Sequence, residues 1–185
     1  MNKKYKENDK DFEIFKNKLN DKNLDELWEL KFHKAFIVLH GRGGEDGFIQ
    51  TELMKKNISF TGSDSKSSSL CMDKALTKDL WKKHNLPLSN SIVVNKGETP
   101  PSISFPQPWA VKPTLEGSSI GISKVSKKTE LDSALNEAFQ YGNQALVEQW
   151  IEGEEYTVSI LNNQALPSIK ITSCLLYTSP SPRDS

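Results

Sequence analysis

The run AFIVLH at residues 35–40 stops against GRGGEDG at 41–47, and this junction constrains the fold more than any other stretch of the chain. A short apolar, β-branched run bounded by glycines is the pattern of a buried strand in an α/β sheet. After the glycines, Ile49, Leu53 and Met54 fall at i, i+4 and i+5, which predicts an amphipathic helix. ISFTG (58–62) then predicts the next short strand. The order strand, loop, helix, strand suits a parallel crossover unit.

The remaining chain continues the alternation. SDSKSSSL (63–70) opens a helix capped by Ser63 or Asp64, with Leu70, Met72, Leu76, Leu80 and Trp81 as its apolar face to Asn85. NLP (85–87) stops it. SIVVN (91–95), PWAVKP (108–113) and ISKV (122–125) read as strands, the first two separated by a Pro-rich connection without periodicity. The clearest helix is 129–141, where Thr129 and Asp132 approximate a capping box and Leu131, Ala134, Leu135, Ala138 and Phe139 share one face. Gly142 ends that helix. ALVEQWI (145–151) and YTVSIL (156–161) predict strands, and Asn162–Asn163 a two-residue hairpin turn.

Both ends differ from this pattern. Residues 1–23 are dense in Lys, Asp, Glu and Asn, with Phe12, Ile14, Phe15 and Leu19 as sparse apolar punctuation. They predict a frayed end or one marginal helix. The stretch SCLLYTSPSPRDS (173–185) is Ser/Pro-rich and resembles a translated adaptor read-through, the alternative being a disordered tail.

Composition excludes several function classes. The 24 Lys+Arg balance 24 Asp+Glu, giving no bulk charge argument for nucleic acid or an anionic membrane. No apolar run approaches the roughly 18 residues of a membrane span, and no apolar segment follows the charged start as in a secretory signal. A cytoplasmic location is therefore expected. Cys71 and Cys174 are too far apart for a zinc motif and read as free thiols, and His33, His40 and His84 form no helical ligand pair. No metal ligands are expected within the chain. Arg42 and Arg183 are the two arginines, so a planar, bidentate guanidinium is scarce.

The strongest chemical constellation runs from Ala110 to Tyr156. Lys112 ends an apolar strand, and Glu116, Gly117, Ser118, Ser119 and Gly121 follow in one loop. Glycines turn backbone N–H groups inward and hydroxyls add donors, a combination that suits a polyphosphate. Read alone, it equally suits a hairpin turn beside a solvated lysine, and it is no Walker A loop because the lysine precedes the glycines. Glu148 and Glu155 stand at the ends of consecutive strands, where they can accept hydrogen bonds from a base amino group and ribose hydroxyls. Backbone near Trp150 and Ile151 can meet the base edge. Lys74 sits on the preceding helix, and singly each of these residues also reads as solvated. His40, with Glu45 and Asp46 close by, lies at a strand end and fits a substrate or phosphate contact, or a satisfied loop histidine.

Taken in order, FIVLHGRGGEDGFIQ, FTGSDSKSSSLCMDK, PWAVKPTLEGSSIGISKV, ALVEQWIEGEEYTVSIL and ALPSIKI resemble the D-alanine–D-alanine ligases, ATP-grasp enzymes of peptidoglycan synthesis. The resemblance covers roughly residues 30–171. It implies an α/β chain: a partial Rossmann-like pre-ATP-grasp domain at 24–72, then the small α+β subdomain of an ATP-grasp fold at 73–172. Residues 1–23 match poorly, and 173–185 are taken as non-native.

The resemblance also implies roles. Lys74 and Lys112 contact ATP phosphates. The loop Glu116–Gly121 covers the β- and γ-phosphates, with Ser118 also near the second substrate. Glu148, Trp150 and Ile151 line the adenine position, Glu155 takes the ribose hydroxyls, and His40 and Glu45 lie beside the substrate site. The implied reaction joins two D-alanines at the expense of ATP, with Mg2+ held by a C-terminal lobe that this chain lacks and a homodimer as the intact assembly. A D-alanine–D-lactate ligase is the neighbouring alternative, and an ATP-binding module without turnover is the alternative from another class. With the metal ligands absent, weak ATP binding without D-alanine-dependent turnover is expected of the chain itself.

Overall fold

The computed structural model describes residues 3–7, 10–14, 24–29, 31–117 and 119–172. Its contacts divide the chain into two compact units, Met1–Trp150 and Ile151–Ser185. Among the described residues no helix is long and apolar enough to cross a membrane.

The first unit opens with β1 (Lys3–Glu7) and β2 (Lys10–Ile14), paired antiparallel with Tyr5 opposite Phe12. This corrects the expectation of a frayed end or marginal helix. Phe12 and Ile14 recur with period two, so the local pattern favours a strand. Phe15 and Leu19 lie outside the described residues.

Next come α1 (Leu24–Trp28), β3 (Lys34–Ala35), α2 (Phe48–Lys55) and β4 (Ser59–Phe60). β3 and β4 run parallel, as the crossover pattern predicts. Leu27, Ile49 and Leu53 form a small core to which Ile37 and Leu39 add their side chains. Met54, expected on the same face, is exposed, because i+5 has rotated past the buried stripe. The buried strand predicted over 35–40 is not formed. Pairing ends after Ala35, since the amide of Ile37 donates to Thr61 Oγ1 at 3.2 Å instead of to a strand carbonyl. Phe36 and Val38 are 77% and 64% exposed, so the segment has one covered face and not two.

The single helix predicted from 63 to 85 is two helices, α3 (Ser65–Met72) and α4 (Lys74–Lys83). Asp64 caps the first, accepting from Ser67 N at 2.7 Å. Asp73 breaks the run with an extended backbone and caps the second, its Oδ1 accepting from Ala75 N at 2.9 Å and Leu76 N at 3.1 Å. A new cap at Asp73 satisfies amides that a continuous helix would have bonded internally. Of the expected apolar face, Leu76 and Trp81 are exposed while Leu70, Met72 and Leu80 are half-buried, and Thr77 is the buried residue of α4.

The main core belongs to an antiparallel sheet of β5 (Ser91–Asn95), β6 (Trp109–Pro113), β7 (Ser123–Val125) and β8 (Gln144–Gln149), in the order β5-β8-β6-β7. α5 (Leu131–Ala138) packs on it through Leu131, Ala134, Leu135 and Ala138, with Phe139 beside them, as its periodicity predicts. Val111, Val147, Ala138 and Ala145 are wholly buried. Each such valine contributes about 1.5–3 kcal/mol relative to an exposed position. The helix start differs from the Thr129/Asp132 box. Glu130 Oε2 accepts from Ser126 N at 2.9 Å and Lys127 N at 3.1 Å, after which a single 3-10 turn leads into α5.

In the second unit, β9 (Glu155–Thr157) pairs with β12 (Ile169–Ile171), and β10 (Ile160–Leu161) with β11 (Gln164–Ala165). YTVSIL is therefore two short strands with different partners. The predicted turn is present: Asn162 and Asn163 adopt φ of 50° and 61°, the left-handed pair that a tight hairpin requires.

Candidate functional site

Lys112 and Glu148 meet because β6 and β8 are neighbours. The register sets Ala110 opposite Glu148 and Lys112 opposite Leu146, so both side chains project from the same face as diagonal neighbours. They form a close ion pair. Lys78 of α4 joins from the other side, 3.0 Å from Glu148 Oε2, and Ser89 Oγ donates to the same oxygen at 3.2 Å. Lys78 Nζ in turn donates to Ser89 Oγ at 2.9 Å and to Ser89 O at 3.2 Å. The three charged side chains are only 13–21% exposed. Burial pushes the Glu148 carboxyl up, but the hydrogen bonds and charges of Lys112 and Lys78 outweigh it and hold its pKa below the ordinary value.

Lys74 opens α4. Its amide donates to Thr114 O at 3.0 Å, and its ammonium donates to the carbonyls of Glu116 and, at 3.5 Å, Thr114. Burial, then the positive charge of Lys112, lowers its pKa. Lys74, Lys78, Lys112 and Glu148 share a cavity of about 430 Å³. An excess of cations held in a partly dry concavity favours a polyanion.

A second cavity of about 700 Å³ is lined by His40, Glu45, Gln50, Ser67, Lys74 and Glu116, among others. Of the loop 41–47, Gly44 and Glu45 line it. Glu45 Oε2 accepts from Gly41 N at 2.6 Å, Asp46 accepts from Gly43 N at 3.0 Å and Phe48 N at 3.1 Å, and Gln50 Nε2 donates to Gly44 O at 2.7 Å. His40 Nδ1 lies 3.7 Å from Glu45 Oε1. Gly44 is required by close approach: a Cβ there would sit 2.4 Å from Leu39 Cβ. Lys74 lines both cavities and stands where they adjoin.

The sequence-derived residues therefore separate into groups. Lys74, Lys112 and Glu148 converge, as do His40, Glu45, Glu116 and Gly117 around the larger cavity. Ser119 adopts φ 63°, and Gly121 packs against the ring of Tyr141. Ser118 lies outside the described residues. Trp150 spends its amide on Pro108 O at 3.0 Å, and the Lys124 ammonium sits 4.5 Å above its ring. Ile151 and Glu155 belong to the second compact unit. Lys78 and Ser89 are the cavity-lining partners of Glu148 that sequence reasoning passed over. For Lys78 the signal was its i+4 spacing from Lys74, which places both on one face of α4.

A family model described as the D-ala D-ala ligase C-terminus matches residues 80–176. The D-alanine–D-alanine ligase of Ruthia magnifica subsp. Calyptogena magnifica is 59% identical over 149 residues, which are 80% of this chain and 51% of that protein. The D-alanine–D-alanine ligase of Haemophilus influenzae is 43% identical over 155 residues. The chain spans about half the length of the curated relatives it matches. Among solved structures, the D-alanine–D-alanine ligase of Bacillus anthracis complexed with ATP superposes with a TM-score of 0.72 at 30% identity, covering 83% of this chain and 52% of that one.

Proposed function

Because the chain belongs to the D-alanine–D-alanine ligase family, we propose that it carries the nucleotide-facing part of a cytoplasmic, ATP-dependent enzyme that joins two D-alanines for peptidoglycan. Its mixed helix and sheet fold is that of the ligase structures it matches. Within it, we assign 24–72 to a partial pre-ATP-grasp domain and 73–172 to the small ATP-grasp subdomain. The observation that carries the reading is the convergence of Lys74, Lys78 and Lys112 on one cavity, with Lys74 also lining the cavity of His40 and Glu45.

In the proposed reaction the carboxylate of the first D-alanine takes the γ-phosphoryl group of ATP. The amine of the second then attacks the acyl carbon, and phosphate leaves. Positioning and electrostatics dominate such transfers. Lys74 and Lys112 place cations against the phosphates, and Glu116, Gly117, Ser119 and Gly121 border them. Glu148 and Trp150 face the adenine. His40 and Glu45 serve the amino-acid side. Among the described residues no three His, Cys, Asp or Glu side chains gather to hold a metal ion. These residues do not fit a Mg2+ site, and charge neutralisation in this part falls to the lysines.

Calorimetric titration of the 185-residue chain with ATP and with adenosine tests the reading. ATP should bind at least tenfold more tightly, and Lys112→Met should remove most of that margin. Equal affinities, or no binding of either, would overturn it. A nucleotide-binding module without turnover is the second reading. ADP release that depends on added D-alanine separates the two.

A further inference from the structure

Arg42 lies in the loop after His40, where the nearby carboxylates of Glu45 and Asp46 accept from the backbone amides of Gly41 and Gly43. In the fold it reaches 74 residues along the chain: its Nε donates to Glu116 Oε1 at 2.9 Å, and its Nη2 stands 2.8 Å from the same oxygen. Nη2 also donates to Tyr141 O at 3.3 Å. The Glu116 side chain is only 14% exposed, whereas that of Arg42 is 63% exposed. A carboxylate so enclosed needs a cation, and this one takes it from outside the cavity wall.

Glu116 is held at two points. Arg42 grips its carboxylate, and its carbonyl oxygen accepts from the Lys74 ammonium. A residue fixed by its side chain presents its carbonyl in one place, and that carbonyl sets where the Lys74 ammonium rests. The contact to Tyr141 adds a second tie. The Tyr141 ring lies against Gly121, where a Cβ would come within 2.7 Å of Tyr141 Cδ2. One guanidinium thus links the residues at both ends of the segment from Glu116 to Gly121.

We propose that Arg42 is a positioning residue for Lys74, acting through Glu116, so that the loop carrying His40 and Glu45 sets the cation presented to the nucleotide phosphates. The proposal rests on the reading of Lys74 as a phosphate contact. It gives a planar guanidinium a task that lysine does poorly, since two of its nitrogens meet one carboxylate oxygen while one of them also meets a carbonyl.

The test compares wild type, Arg42→Ala, Arg42→Lys, Glu116→Gln and the Arg42→Ala/Glu116→Gln double variant of the full 185-residue chain. Each is titrated with ATP and with adenosine. Arg42→Ala should weaken ATP about five- to tenfold, the scale of one coupling between sites, and leave adenosine unchanged. Arg42→Lys should fall between, and the double variant should be no worse than the weaker single one, because both act through one contact. Unchanged ATP binding in Arg42→Ala would overturn the proposal. So would equal losses of ATP and adenosine, which mark a general structural role, or additive losses in the double variant. If the wild type fails to prefer ATP, the nucleotide reading itself fails. Arg42 is then judged by the NMR signal of the Lys74 ε-methylene: a shift in Arg42→Ala upholds the link from Arg42 to Lys74, and an unmoved signal ends it.

Discussion

Replacing Glu148 by glutamine should destabilise the chain by about 2 kcal/mol at pH 7. The carboxylate accepts from Lys112, Lys78 and Ser89. A hydrogen bond to a charged group contributes about 1.5–3 kcal/mol, and an uncompensated, fully buried charge costs about 3–5 kcal/mol. Glutamine keeps the shape and an acceptor for Ser89 but removes the charge, leaving two ammonium groups facing each other. Because each keeps some solvent contact, the cost is discounted to about 2 kcal/mol. Urea unfolding followed by the fluorescence of the core residue Trp109 should show the midpoint falling by about 1 M. The sign with pH follows from the direction of the shift. The folded-state pKa of Glu148 lies below the ordinary 4.5, so its stabilisation is fully present above 4.5 and is lost as pH falls through the lower folded value. The gap between wild type and Glu148→Gln should therefore close in acid. Equal midpoints at pH 7, or a gap that persists unchanged to pH 3, would refute the reasoning.

Lys74→Met should stabilise the chain while lowering its affinity for ATP. Lys74 carries a pKa lowered from 10.5 by burial and by Lys112, so the unfolded chain binds its proton more tightly. The stability of wild type relative to Lys74→Met should accordingly rise as the pH climbs toward the ordinary lysine value of 10.5; urea midpoints measured from neutral to alkaline pH check both statements. Gly121→Ala should cost about 1–3 kcal/mol, because φ is 66° and the new Cβ would lie 2.7 Å from the Tyr141 ring and 2.9 Å from Pro113. A thermal melt unchanged by this substitution would contradict the tight packing at the end of the loop.

The parts legible in the sequence are those whose pattern is decided locally. α5 has its apolar face at helical spacing, and β6 and β8 are short apolar runs that stop at charged residues, so helix, strands and the strand-end positions of Lys112 and Glu148 could all be read. AFIVLH misleads because composition records that Phe36 and Val38 are apolar and not whether anything covers them. The break at Asp73 hides between two stretches that both favour helix, and what separates them is a cap competing with a continued turn. Lys78 could have been found by spacing from Lys74, but Ser89 could not, since a loop brings it to Glu148 from 59 residues away. The pairing of Arg42 with Glu116 is equally silent: 74 residues separate them, and only the fold juxtaposes them.

The same charges bear on the proposed preference for phosphate. Three lysines and one carboxylate meet in the smaller cavity, and Glu148 already serves two of the lysines. Lys74 is left with carbonyl oxygens as its acceptors, while burial and Lys112 both act against its charge. The fold thus holds an ammonium in a position that weakens its own stability. A polyphosphate arriving there removes that repulsion and forms new charge-assisted hydrogen bonds, so the destabilisation is recovered as affinity only when the anion is present. Adenosine recovers none of it. The same reasoning explains why Arg42 belongs outside the cavity. A further unpaired cation beside Lys74 would add to the repulsion, whereas a guanidinium neutralised by Glu116 can orient Lys74 without adding net charge to it.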